Sequence, residues 1–228
     1  MEAKVIRGFS VKIRMENVLK HLGFSLWVQK NNPASVSRYR KKAKIIYKEV
    51  KHLICPRAIY QAFDYEILSR KRVLLSNSVT GRQEKLTSFY LVRKNLTSFR
   101  PEKLVLFVAT LGDEITQSAD PEDFDRIFYL NAIGSDGAEA VACYVYKLLA
   151  LEHSHQKSFR RLSPGYGEAT GFDWKISQQR IIFDLLGREK IKGELGVELL
   201  DSLESHSFLM VPIKSVSGIA FPYKKEVV

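Results

Sequence analysis

The segment with the clearest chemical potential runs from Phe159 to Gly167, where a guanidinium precedes a glycine-rich turn. Arg161 is always charged, and its planar group can hold a carboxylate through two parallel N–H groups. In the turn, Pro164 fixes its own φ and Gly165 tolerates left-handed or crowded backbone, so exposed backbone groups can hydrogen-bond a polar ligand. Taken alone, the segment favours the simpler interpretation of a turn between two elements.

Two further segments lie in order on either side of this turn. A helix-like stretch contains Ala138-Glu139-Ala140, and a strand-like stretch from Ser207 to Gly218 reads Ser-Phe-x-Met-x-Pro-x-x-Ser-Val-Ser-Gly. With the Arg-x-x-x-Gly-Tyr pattern from Arg161 to Tyr166, these segments resemble the activation (reactivation) domain of cobalamin-dependent methionine synthase. The resemblance spans roughly residues 104 to 221, and segments 18–23 and 56–60 are similar to its shorter, stand-alone relatives.

The resemblance implies an α+β fold, with a twisted antiparallel sheet and flanking helices. It also implies a binding site for S-adenosylmethionine formed by Glu139, Arg161, Ser163, Pro164, Gly165 and Tyr166. In that site Glu139 contacts the ligand, Ser163 and Pro164 act through their backbone, and Tyr166 is the catalytic candidate, lying beside the corrin of a docked partner. An acidic residue from the family's N-terminal part has no aligned counterpart, and Asp64 and Glu66 are the candidate substitutes.

The function implied by the resemblance is reactivation in trans. Cob(II)alamin carried by a methionine synthase or another corrinoid protein would be reduced by flavodoxin or ferredoxin and methylated by S-adenosylmethionine. The chain would then be a methyltransferase component with two cofactors, S-adenosylmethionine and the partner's cobalamin. Two alternatives stay open: an S-adenosylmethionine-binding sensor or assembly factor without methyl transfer, and a basic nucleic-acid-binding protein.

Positive charge is concentrated in residues 1–100, which hold 22 of the 36 Lys and Arg residues but only 6 of the 25 Asp and Glu residues. Between Ser37 and Lys51, apolar residues recur at spacings of three and four, which predicts an amphipathic helix with a basic outer face. That face is a solvated surface, a docking patch for an acidic protein, or a nucleic-acid footprint. The sequence contains no recognised nucleic-acid-binding module, and this disfavours the third interpretation.

The chain of 228 residues has no repeat or long linker. We therefore expect one unit over 1–228, with a basic N-terminal part (1–100) and a ligand-binding part (101–228). Gly134 and Gly137 lack side chains, so the helix predicted over 120–153 leaves space beside them, either for a closely packed neighbour or for a ligand. Hydrophobic patterns predict strands over 58–68, 73–75 and 104–110, and helices over 35–53, 83–97, 120–153 and 176–186.

Other classes of site find little support in the sequence. His153, His155 and His206 have no Cys or carboxylate at metal-ligand spacing, so no metal site is predicted. Cys55 and Cys143 are far apart and are expected to be small buried residues rather than a disulfide. Since the N-terminus lacks a signal-peptide pattern and no run of ~18 apolar residues occurs, we expect a cytoplasmic protein without a membrane span.

Overall fold

A computed structural model describes residues 2–152, 158–165, 173–202 and 207–223. The strands are β1 (Lys4–Arg7), β2 (Arg57–Ile67), β3 (Arg72–Ser76), β4 (Gln83–Thr87), β5 (Leu104–Thr110), β6 (Ser158–Leu162), β7 (Glu198–Ser202), β8 (Ser207–Val211) and β9 (Ser215–Tyr223). The helices are α1 (Met15–His21), α2 (Leu26–Asn31), α3 (Pro33–Val50), α4 (Phe89–Leu91), α5 (Thr97–Phe99), α6 (Glu114–Gln117), α7 (Phe124–Glu152), α8 (Gln179–Leu186) and α9 (Arg188–Leu195).

The main sheet is antiparallel throughout its described strands and has the order β4-β3-β2-β5-β9-β6. β1 pairs with the first residues of β2, and β7 and β8 form a separate hairpin. The register places Arg57 opposite Thr110, and Arg161 opposite Ala220. The prediction of an α+β fold with an antiparallel sheet and flanking helices is confirmed.

Strand β5 is the centre of the molecule because both of its faces are covered. All seven of its residues are buried, as its continuous apolar run predicts. Alternate side chains point to opposite faces of a strand. Val105, Phe107 and Ala109 pack in the core beneath α1, α3 and α7, whereas Leu104, Leu106 and Val108 pack in the core beneath α8 and α9.

The two long helices were predicted from their periodicity, and their starts have local causes. α3 begins with Pro33 at its first position, preceded by Asn32, whose side chain accepts the Ser35 N–H. α7 begins at Phe124 rather than near Asp120. The Asp123 side chain accepts the Arg126 N–H at 2.9 Å, as an N-cap does, while Asp120 accepts the Glu122 N–H in the preceding turn.

Two predicted elements differ in the structure. Segment 83–97, expected to be a helix, is β4 followed by short helical turns, because residues 83–87 pair with β3 and Ser88 then caps the turn by accepting the Leu91 N–H. The motif from Ser207 to Gly218, expected to be one strand, is divided between β8 and β9, with residues 212–214 between them. Pairing between distant segments decided both outcomes.

The two cysteines contradict the expectation of burial, since both are exposed as free thiols. Cys55 lies just before β2, and Cys143 lies on the side of α7 that faces away from the buried Val141 and Val145. Within the described ranges, no helix combines the length and apolar character that crossing a membrane requires.

Candidate functional site

Arg161 and Glu139 meet between the edge strand β6 and helix α7. The alternation of β6 turns Phe159 and Arg161 toward α7, where the Arg161 Nη2 group donates a hydrogen bond to Glu139 Oε2. The two side chains are 23% and 27% exposed, so the ion pair is partly shielded from water. Arg161 Nη1 is buried and has no hydrogen-bond partner among the described residues. The pair therefore retains an unused donor.

The turn after β6 has the predicted conformation. Gly165 has a φ of +78°, which L side chains rarely adopt, and its N–H donates to the Trp174 carbonyl at 2.8 Å. A Cβ added at Gly165 would lie 2.8 Å from Ile176 Cδ1. Both the backbone conformation and the neighbouring side chain therefore require glycine at this position.

The C-terminal motif packs directly against this turn. A Cβ added at Gly218 would lie 2.5 Å from the Leu162 carbonyl oxygen and 2.9 Å from Ser163 Oγ, so only glycine allows β9 and β6 to approach this closely. Ser163 and Pro164 are buried beside it. The fold thus brings together two motifs that are distant in the sequence.

A cavity of about 280 Å³ opens beside the turn. Its wall includes Ser163 to Gly165, residues of β8 and the start of β9. In that wall Ser217 Oγ hydrogen-bonds Gln179 Oε1 at 2.9 Å, and Gln179 Nε2 donates to the Phe208 carbonyl at 2.8 Å. The hairpin of β7 and β8 is therefore tied to the sheet next to the turn.

A second cavity, of about 300 Å³, is lined by Glu139 and by two further residues of α7, Cys143 and Lys147. Asp136, one turn before Glu139, is buried there and accepts hydrogen bonds from the Arg14 N–H at 2.7 Å and from Asn17 Nδ2 at 2.8 Å. These bonds fix the start of α1 against α7. Sequence reasoning missed Asp136, although a carboxylate on an apolar helix face signals a buried partner.

The space beside the two glycines of α7 is filled by other side chains of the protein. A Cβ at Gly134 would lie 3.0 Å from the Lys214 side chain, and one at Gly137 would lie 2.5 Å from Leu111 Cδ2. Of the two interpretations of these glycines, close packing is confirmed. Lys214, a residue not anticipated from the sequence, is buried and donates to Ser135 Oγ at 3.2 Å, and its burial lowers the pKa of the ammonium group.

The remaining predicted residues either lie outside the described residues or have other neighbours than predicted. Tyr166, the catalytic candidate, and the histidines at 153, 155 and 206 lie outside the described residues. Asp64 forms an ion pair with Lys103 at 3.1 Å, in the part of β2 that pairs with β3, and Glu66 is exposed on the same strand. The structure thus joins Arg161 to Glu139, places the turn directly after β6, and gives Asp64 a different partner.

Comparison with known proteins bears on the fold. No protein-family model matches the chain, and no curated protein matches it. Among solved structures, it is similar to the crystal structure of the MetH reactivation domain bound to AdoHcy, with a TM-score of 0.67, 16% identity, and coverage of 100% of this chain and 80% of that chain. The chain therefore has the fold of the MetH reactivation domain, which confirms the resemblance found in its sequence.

Proposed function

We propose that this protein binds S-adenosylmethionine and serves in trans as a reactivation protein for a cobalamin-carrying methionine synthase or another corrinoid protein. The observation that carries the proposal is the contact between Arg161 and Glu139 beside the turn of residues 163–165. The fold gives support, because the similar MetH reactivation domain was crystallised with AdoHcy. Strands from residues 4 to 223 share one sheet or its adjoining hairpin, and this favours a single unit over 1–228.

The chemistry of the ligand fits the residues that are present. S-adenosylmethionine carries a carboxylate, an α-ammonium and a positive sulfonium. Arg161 Nη1, which has no hydrogen-bond partner in the described ranges, suits the carboxylate, and the Glu139 carboxylate suits a positive group. Ser163, Pro164 and Gly165 would contribute backbone carbonyls, since the Gly165 N–H is already bonded to Trp174. Tyr166 is proposed to cover the cofactor of the docked partner.

The role of this chain in the reaction is positioning. The sulfonium of the bound ligand supplies an electrophilic methyl group, and the corrinoid protein supplies the acceptor. One electron from flavodoxin or ferredoxin would reduce the acceptor before the transfer, and S-adenosylhomocysteine would leave when the methyl group moves to it. Holding the methyl donor in a fixed orientation makes its encounter with a docked acceptor nearly intramolecular, which is a large source of rate acceleration.

Calorimetric titration with S-adenosylmethionine tests the proposal. We expect saturable binding by the wild type, and a loss of about 10- to 100-fold in affinity for Arg161→Ala and for Glu139→Ala, the usual range for a hydrogen bond to a charged group. Arg160→Ala is the matched control. It removes the same charge from the same strand, but its guanidinium contacts Asn95 and Phe99 on the opposite face.

Several outcomes would separate the alternatives. No binding by the folded wild type, or equal losses in all three variants, would contradict the proposed site. The wild type could bind S-adenosylmethionine, and the two site variants fail to, without any methyl transfer from the wild type to a corrinoid protein. That outcome would instead identify a sensor or assembly factor. Circular dichroism of each variant checks that the fold is retained.

We also propose that the outer face of α3 docks the acidic electron donor. Arg38, Lys41, Lys44 and Lys48 are exposed on this helix, whereas Arg40 and Lys42 pair with Glu16 and Asp125. Complementary charge mainly raises the rate of encounter and makes it sensitive to salt. A Lys41→Glu/Lys44→Glu variant should slow flavodoxin association at low salt, and Arg82→Glu, on an exposed turn, should not. Tight binding of mixed-sequence DNA to this face would support the nucleic-acid alternative instead.

A further inference from the structure

A second Arg–Glu pair lines a cavity of about 690 Å³ at the end of the sheet where β2 begins. The cavity is bounded by the residues that follow β1, by the residues before β2, by the start of α6 and by the end of α9. Arg57 and Glu114 face each other in it. This site is separate from the Arg161 site, because β5 and β9 lie between β2 and β6.

The polar atoms of this pair are poorly matched. Arg57 Nη2 and Glu114 Oε1 are 3.8 Å apart, which is too far for a hydrogen bond. Arg57 Nε and Glu114 Oε2 are buried and have no hydrogen-bond partner within the described part of the chain. Leaving such groups unsatisfied is unfavourable, because they have lost hydrogen bonds to water without gaining others. A ligand that drew both side chains toward the cavity would break no hydrogen bond between them.

The outer atoms of both side chains can reach a ligand, since Arg57 is 27% exposed and Glu114 is 43% exposed. Glu114 Oε2 lies against the backbone of Gly112, where an added Cβ would be 2.3 Å away. The absence of a side chain at this position therefore makes room for the carboxylate. No hydrogen bond joins the two side chains, so neither fixes the position of the other.

The charges around the cavity balance. Arg7 pairs with Glu194 at its rim, so two guanidinium groups face two carboxylates. An isolated anion or cation would leave one member of the Arg57–Glu114 pair unmatched, whereas a ligand carrying both charges would match both. Phe9, Ile54 and Pro56 provide an apolar wall. We propose that this cavity is a binding site for a small zwitterionic α-amino acid with an apolar side chain, its carboxylate on Arg57 and its ammonium on Glu114.

The two exposed cysteines provide a readout for this proposal. Cys55 lines the Arg57–Glu114 cavity, and Cys143 lines the cavity next to Glu139. L-Leucine is the probe, and alkylation of each thiol is followed by mass spectrometry of the peptides. At ten times the dissociation constant, bound L-leucine should slow alkylation of Cys55 about tenfold and leave Cys143 unchanged. N-acetyl-L-leucine and L-leucinamide, which each lack one charge, should protect neither thiol.

Variants then test the two side chains. Arg57→Gln and Glu114→Gln should each abolish the protection of Cys55, and Arg72→Gln and Glu122→Gln, at exposed positions, should retain it. Unslowed alkylation of Cys55 in millimolar L-leucine, or equal protection by the two analogues, would overturn the proposal. Protection of Cys143 in place of Cys55 would place the amino acid in the Glu139 cavity. It would also show that the site proposed at Arg57 and Glu114 is wrong. The proposal does not depend on S-adenosylmethionine binding elsewhere.

Discussion

The Arg161–Glu139 and Arg57–Glu114 pairs use the same two residue types in differently packed surroundings. Arg161 and Glu139 are in direct hydrogen-bond contact between a strand and a long helix, and the glycines near them are in contact with neighbouring atoms. Arg57 is the first residue of the long strand β2 and Glu114 is the first residue of the four-residue helix α6, and Arg57 Nη2 is 3.8 Å from Glu114 Oε1. Gly193 lies in the wall of their cavity, and no atom of the described residues is within 4 Å of a Cβ added there.

This difference shows that the supporting elements, and not the charged residues themselves, determine how far a site is preorganised. A site fixed by packing loses little freedom when a ligand binds, whereas a loosely supported site must order its side chains at that moment. We therefore expect substitutions in the packing around Arg161 to be costly, and a substitution at Gly193, in the wall of the Arg57–Glu114 cavity, to be tolerated.

Gly218→Ala should give the largest effect. The new methyl group would meet the Leu162 carbonyl oxygen at 2.5 Å and Phe107 Cε1 at 3.0 Å, so β6 has to move away from β9. Overpacking of this kind costs about 1–3 kcal/mol in the free energy of unfolding. Because β6 carries Arg161, affinity for S-adenosylmethionine should fall as well. Chemical denaturation and calorimetry measure the two quantities.

The matched control for this prediction is Gly193→Ala in α9. No described residue obstructs the added methyl group, and alanine in place of a helical glycine stabilises a protein by about 0.5–1 kcal/mol. The same substitution should therefore have opposite signs in the two regions. Equal losses at Gly218 and Gly193 would contradict the contrast between a packed and an open site.

The sequence predicted the parts of this molecule that depend on local periodicity. The apolar run of β5 and the three- and four-residue spacings of α3 were sufficient, because each pattern has one arrangement that buries its apolar side. The approach of Glu139 to Arg161 could be expected from the family resemblance, since it implies that both residues belong to one binding site. Local spacing alone did not indicate their contact.

Features that depend on contacts between distant segments could not be predicted from local patterns in the sequence. Residues 83–87 became a strand because β3 was available to pair with them. The glycines of α7 gave no sign that Lys214 and Leu111 would fill the space beside them. The Arg57–Glu114 pair has no motif, since its members come from different elements that only the sheet brings together.

Lys214→Met should give a smaller effect that depends on pH, because the Lys214 ammonium keeps a hydrogen bond to Ser135 Oγ. Burial lowers the pKa of Lys214 in the folded protein, whereas the unfolded chain keeps a value of about 10.4. Between these two values the unfolded state binds more protons, so this lysine makes the free energy of unfolding rise with pH. Below the folded pKa both states are protonated and the burial penalty is constant. The stability deficit of the wild type relative to Lys214→Met should therefore shrink as the pH approaches 10.4, while other titrating groups cancel in the difference.

Lys20→Met, at an exposed position of α1, should follow the wild type at every pH. Parallel curves for wild type and Lys214→Met would show that the ammonium is not buried against Gly134 and Ser135 of α7.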